Sequence, residues 1–194
     1  RIPGNKLAKK LIALFDLPIA APSANLSERT SVTNIMDIDP ILEKKIFVLK
    51  DRQSSHGLES TVVRIDTNNK IEVLRYGSIT VEELNKYAKV KIKKKSSISP
   101  GNLKKHYSTL KPIRMNAKRI LKNEGLLNYG NNKLKSKIIN LNLSNKKNLN
   151  EAAKNFYHYL HKLDQSRCKK IAVVEIPDKG LGKTINDRLR RAIK

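Results

Sequence analysis

Residues 137–193 read KIINLNLSNKKNLNEAAKNFYHYLHKLDQSRCKKIAVVEIPDKGLGKTINDRLRRAI. Within them Leu149, Ala152, Ala153, Phe156, Leu160 and Leu163 recur at helical spacing and mark one apolar face. Ser144 lies upstream as a helix cap, since a hydroxyl can satisfy an orphan N–H of the first turn. Apolar runs flank this helix, Lys137–Leu143 before it and Ile171–Ile176 after it, and Lys183–Ile193 reads as a closing helix. Gly125–Tyr129 supplies one more strand and Arg119–Lys122 a short helix. Strands alternating with helices cannot pair as hairpins, so the order predicts a small, mostly parallel α/β sheet.

Upstream the pattern changes. Lys93-Lys94-Lys95 and Ser96-Ser97-Ile98-Ser99-Pro100-Gly101 break all periodicity, and residues 93–112 read as a linker between residues 1–92 and residues 113–194. In the first part Lys6–Phe15 is an amphipathic helix opened by Gly4-Asn5, and Val32–Leu42 a second helix. Leu17–Ala21, bounded by Pro18 and Pro22, reads as a buried strand feeding a loop. Ile46–Leu49, Ser60–Ile65 and Ile71–Leu74 are β-rich, with Asn68-Asn69 as a turn between the last two. Thr80 and Glu83 have the spacing of a capping box opening a helix to Ala88.

The 194 residues carry 41 Lys and Arg against 17 Asp and Glu, a net charge of +24. Such a balance draws a chain towards polyanions, and a basic RNA-binding module without catalysis is the alternative reading. Lys and Asn are abundant throughout, and no RNA-reading aromatic motif stands out. The single cysteine, Cys168, excludes an intramolecular disulfide framework and a Cys-rich zinc site, which fits a cytoplasmic protein. No run reaches the length of a membrane span. Arg1-Ile-Pro-Gly has no initiator Met and no apolar signal core, so the chain reads as starting in mid-protein.

Gly180-Leu181-Gly182-Lys183-Thr184 falls between a strand and a helix, the place of a phosphate-binding loop. The full pattern needs a glycine where this chain has Pro177, so the motif reads as an ordinary turn. His158 and His161 lack the acidic or Cys company of a metal site and read as surface or packing residues. Pro22-Ser23-Ala24-Asn25-Leu26-Ser27 combines small hydroxyl and amide residues, able to donate to phosphate or carboxylate oxygens.

That run is followed in order by Gly57-Leu58-Glu59-Ser60-Thr61-Val62-Val63, Leu74-Arg75-Tyr76-Gly77 and Ser99-Pro100-Gly101 leading to His106-Tyr107. Gly180-Leu181-Gly182 with Ile185-Asn186-Asp187-Arg188-Leu189-Arg190-Arg191-Ala192 closes the series. Together these segments resemble the threonylcarbamoyl-adenylate synthase family, the YrdC-type enzymes of tRNA modification, in their long two-domain form. The resemblance implies the C-terminal part of a YrdC-like twisted α/β domain over residues 1–92, a linker folding over the active site at 93–112, and a small Rossmann-like domain at 113–194.

It further implies an enzyme that joins L-threonine, bicarbonate and ATP into threonylcarbamoyl-AMP, releasing pyrophosphate, with ATP as substrate and Mg²⁺ beside it. A separate threonylcarbamoyl transferase would take the product, and tRNA would meet the basic surface. By this resemblance Arg1, Ala21 and Ser60 line the threonine site, the arginine as a fork for the carboxylate. Ser23, Ser31 and Arg75 surround ATP, where hydroxyls and a fixed cation can stabilise phosphate charge. His106 and Tyr107 belong to the linker over the active site, and Asn25 and Thr61 are neighbours of lower rank. The family's first half, with its ATP-gripping Lys and Arg residues, would lie upstream of Arg1. The expectation is therefore a fragment that does not form the product alone.

Overall fold

A computed structural model describes residues 2–51, 54–67, 70–92 and 107–193. Two sheets organise it. The first is mixed, with β1 (Val62–Ile65) antiparallel to β2 (Ile71–Arg75) and β2 parallel to β3 (Val90–Ile92). The second is wholly parallel, in the order β4 (Ile113–Arg114), β7 (Lys170–Val173), β5 (Glu124–Asn128) and β6 (Asn140–Asn142). Parallel strands cannot be joined by tight turns, and here helix α4 (Leu149–Gln165) carries the chain from β6 to β7. Helix α5 (Leu181–Ala192) follows β7, so the expected parallel α/β arrangement is present.

The second sheet owns the core. Leu126, Leu127, Leu143, Phe156, Leu163, Ile171, Val173, Ile185 and Leu189 are all fully buried, and Leu58 and Tyr107 join the same cluster. The α4 face foreseen from the spacing is the one buried, but its cap is Asn148, whose side chain accepts from the N–H groups of Asn150 and Glu151. Ser144, four residues earlier, binds Glu151 Oε2 and the Asn148 N–H instead, stapling the approach to the helix. The capping box of Thr80 and Glu83 opens α3 (Val81–Leu84) as expected.

The first part departs from its reading in three places. Residues 17–21 form no strand and Leu17 is 63% exposed, because Pro18 and Pro22 remove backbone donors that a ladder would need. Residues 46–49 also form no strand, and Phe47 stands exposed. The expected helix at 32–42 is split into a 3₁₀ turn at Ile35–Asp37 and a short helix α2 at Pro40–Glu43. Pro40 cannot donate within a continuous helix but suits a first turn, where Asp39 caps it. In the second part, 119–122 is a turn held by the Leu121 N–H on Glu124 Oε2. Helix α1 (Lys6–Phe15) forms behind its Asn5 cap yet buries none of its residues.

This asymmetry predicts where mutations act. Phe156→Ala removes a fully buried ring from the core of the second sheet and should cost about 3–5 kcal/mol. Leu14→Ala, at a side chain in the exposed face of α1, should change stability by less than about 0.5 kcal/mol. Urea unfolding of both variants measures the contrast.

Candidate functional site

Helices α4 and α5 meet residues 30–82 along a polar seam, and Glu59 lies within it. Leu58, beside it, is buried in the core of the second sheet, which draws residues 57–59 tightly against α4. A Cβ on Gly57 would stand 2.0 Å from the Ala153 carbonyl oxygen, so only glycine permits this approach. The Glu59 carboxylate then reaches three donors. Oε1 accepts from the Ser31 hydroxyl at 2.5 Å and the Tyr157 hydroxyl at 2.8 Å, and Oε2 accepts from Arg188 Nε at 3.0 Å.

Arg188 is wholly buried, and each edge of its guanidinium is used. Besides Glu59 it donates through Nη1 to Asp187 Oδ2 at 2.6 Å and through Nη2 to the Tyr76 carbonyl at 2.6 Å. Its Cζ lies 4.5 Å from the centre of the Tyr107 ring, a cation–π contact strengthened by the burial of both side chains. Tyr107 in turn packs near Tyr157, with ring centres 6.0 Å apart. Burial alone would raise the Glu59 carboxyl, but Arg188, then the hydroxyls of Ser31 and Tyr157, hold it below its ordinary value. Burial and the nearby Glu59 charge push Tyr157 well above the usual phenol range, so it is a neutral donor.

Further contacts extend the seam. Thr184 donates to the Gly77 carbonyl at 2.9 Å, and Lys183 Nζ pairs with Glu82 Oε1 at 3.0 Å. From α4, His158 Nδ1 lies 2.9 Å from Asp37 and His161 Nε2 lies 3.1 Å from Thr30 Oγ1. These histidines therefore join α4 to residues 30–37, a role that helix spacing alone cannot show. The Asp164 carboxylate accepts from the N–H groups of Leu110 and Lys111.

The sequence candidates are distributed around this node. Ser31 touches Glu59, Ser60 follows it, Arg75 Nη2 donates to the Ser60 carbonyl at 2.9 Å, and Tyr107 covers Arg188. Thr61 is turned away, donating to the Ile79 carbonyl at 2.6 Å. Ala21 and Ser23 stand exposed on the loop before Asn25, whose amide holds the carbonyls of Leu26 and Arg29. Arg1 and His106 lie outside the described residues. Glu59, Tyr157 and Arg188 were not singled out as ligands; the unusual signal was an acidic residue at 59 before an apolar strand, with no basic neighbour in sequence to explain it.

Two other sequence features resolve here. Lys183 is paired with Glu82, and a Cβ on Gly182 would meet the Pro177 carbonyl at 1.9 Å, so these glycine-loop residues serve chain packing. Cys168 is buried beside Ser166 and the Leu163 carbonyl. Among the described residues no group of His, Cys, Asp and Glu can hold a metal ion, and no helix is long and apolar enough to cross a membrane.

Fold and seam define a mixed α/β protein in which a parallel-sheet lobe braces a loop-rich lobe carrying serine, glutamate and arginine side chains. Residues 79–193 match the family model described as Threonylcarbamoyl-AMP synthase, C-terminal domain, and residues 1–77 match one described as Telomere recombination. The chain belongs to the threonylcarbamoyl-AMP synthase family. It is 26% identical over 220 residues to the Threonylcarbamoyl-AMP synthase of Pyrococcus abyssi, covering 99% of this chain and 62% of that protein. Identity to the Bacillus subtilis Threonylcarbamoyl-AMP synthase is 29%, with the same 99% and 62% coverage. The Schizosaccharomyces pombe Threonylcarbamoyl-AMP synthase is 35% identical over 122 residues, covering 56% of this chain and 30% of that one. The crystal structure of P. abyssi Sua5 complexed with L-threonine superposes with a TM-score of 0.82 at 24% identity, covering 99% of this chain and 62% of that chain. The chain thus spans 62% of the length of two of these relatives.

The Glu59 node has a signed pH dependence. Its folded-state value lies below the unfolded 4.5, so the ionised carboxylate stabilises the fold above that pH. The contribution disappears as pH falls through 4.5 and then through the folded value. Glu59→Gln should destabilise the protein at pH 7 by about 1–3 kcal/mol, because buried Arg188 then keeps Asp187 as the one carboxylate of the two that pair with it. It should also flatten the loss of stability below pH 5, measured by thermal unfolding across pH 3–7.

Proposed function

We propose that this chain takes part in forming threonylcarbamoyl-AMP from L-threonine, bicarbonate and ATP, with pyrophosphate as the second product. The observation that carries the reading is the convergence on one seam around Glu59 of Ser60, Ser31 and Arg75, which the resemblance assigns to the threonine and ATP sites, and Tyr107, which it assigns to the linker over them. In support, the P. abyssi protein of similar fold was crystallised with L-threonine. In this reading Ser60 and Ala21 border the threonine site together with Arg1. Arg75, anchored on the Ser60 carbonyl, offers a fixed cation to ATP phosphates. Ser23 and Asn25, on the exposed loop, would approach the nucleotide from the open side. Mg²⁺ enters this reading as the companion of the ATP phosphates.

The reading includes no turnover by these 194 residues alone, because Ala21 and Ser23, which it places beside the substrates, stand in solvent. Threonine- and bicarbonate-dependent pyrophosphate release by the purified chain would overturn that part. The alternative, a basic RNA-binding module, rests on the +24 charge and would show a steep salt dependence of RNA binding without threonine or ATP affinity.

Calorimetric titration with L-threonine and with ATP tests the reading directly. Arg75→Ala should weaken ATP binding by about 1.5–3 kcal/mol, the range for hydrogen bonds to charged groups. Arg75→Lys should recover only part, because an ammonium cannot hold Ser60 and a phosphate with one planar fork. Unchanged ATP affinity in Arg75→Ala, with unchanged thermal stability, would remove Arg75 from the site.

A further inference from the structure

The Ser31 hydroxyl faces an ionised carboxylate. Glu59 is held below the ordinary carboxyl range and can only accept, so at 2.5 Å it is Ser31 that donates its single proton. What Ser31 offers any ligand is therefore its lone pairs, not an O–H. The same carboxylate oxygen also receives the Tyr157 hydroxyl at 2.8 Å, and its partner oxygen receives buried Arg188. Both of these residues come from the parallel-sheet lobe, whereas Ser31 and Glu59 belong to the other.

We propose that Arg188 and Tyr157 are positioning residues that, through Glu59, convert Ser31 into a fixed hydrogen-bond acceptor in the substrate site. Resting on the functional reading above, this assigns Ser31 an N–H or O–H group of the substrate, and not a phosphate oxygen. The threonine ammonium or hydroxyl and the ribose hydroxyls of ATP share that chemistry. Arg188 sets the charge of Glu59 and Tyr157 sets its angle. Without either, the carboxylate can swing from Ser31, whose hydroxyl then rotates freely and loses its acceptor polarity. A phosphate oxygen facing the lone pairs of a serine whose proton is already committed would be repelled.

The test uses the full chain with Tyr157→Phe, Ser31→Ala and Ser31→Thr, and Thr184→Val as a seam contact outside the node. L-Threonine and ATP are titrated in separate calorimetric arms, which identify the source of the donor group. Tyr157→Phe and Ser31→Ala should weaken the same ligand by five- to twentyfold. Ser31→Thr, which keeps the hydroxyl, should stay within threefold. Thr184→Val should lower the melting temperature while leaving both affinities within twofold. Ligand-free amide NMR is the second readout: the Ser31 resonance should move in Tyr157→Phe and not in Thr184→Val. Equal affinity losses in Tyr157→Phe and Thr184→Val, or an unmoved Ser31 resonance, would overturn the relay while the functional reading stands. Absence of binding to either ligand by the unaltered chain would defeat the functional reading and the acceptor role with it, whereas the resonance shift still decides whether the relay exists.

Discussion

The pairing of Arg188 with Glu59 is the constraint on which the seam depends. A guanidinium with no exposed surface has lost its hydration, and one carboxylate contact does not offset that loss. The structure answers by occupying the whole group: Glu59, Asp187, the Tyr76 carbonyl and the face of Tyr107 surround it. These partners come from four separated stretches of chain, at positions 59, 76, 107 and 187. Removing the parallel-sheet lobe would leave Glu59 short of two donors, and removing the other lobe would leave Arg188 with Asp187 alone of its two carboxylate partners. Each lobe thus supplies hydrogen-bond partners that a charged group of the other needs.

Helix α4 is shaped by the same demand. A helix that packed only on its own sheet would need a single apolar stripe. Here Phe156, Leu160 and Leu163 supply that stripe, while Tyr157, His158 and His161 carry polar contacts to residues 30–59. Its near-complete burial at Tyr157 follows from the packing of two lobes, not from hydrophobicity, and explains why a tyrosine occupies a position where its hydroxyl must find an acceptor. The close approach at Gly57 fixes how near α4 can come. Backbone proximity and side-chain polarity therefore specify one docking geometry together.

What was legible in the sequence follows from how local each cause is. The parallel lobe could be read because its strands and helices are fixed by periodicity, and α4 buries the residues its spacing selects. The Thr80 capping box was legible for the same reason, since both partners lie within one turn. The family was legible because short motifs recur in a fixed order. Residues 17–21 and 46–49 were misread because apolar composition suggests a strand, but a strand needs a neighbour with free backbone groups. The node itself was hidden by distance along the chain: Glu59 and Arg188 are separated by 129 positions, and nothing near either residue advertises the other.

Charge makes the separation between composition and site concrete. With 17 acidic residues against 41 basic ones, most carboxylates could neutralise surface lysines at little gain. Instead Asp37, Glu59, Glu82 and Asp187 are committed to contacts along the seam: Asp37 with His158, Glu59 with Arg188, Glu82 with Lys183, and Asp187 with Arg188 and Arg191. A carboxylate placed in a low-dielectric junction does more work per charge than one in water, since the same Coulomb attraction is screened far less there. Asp37, Glu59 and Asp187 lie in that setting, whereas Glu82 stands half exposed at its margin. The basic surface and the seam are consequently independent features. A polyanion can meet the first by counterion release, whereas the second is governed by local pairing that net charge neither creates nor reveals.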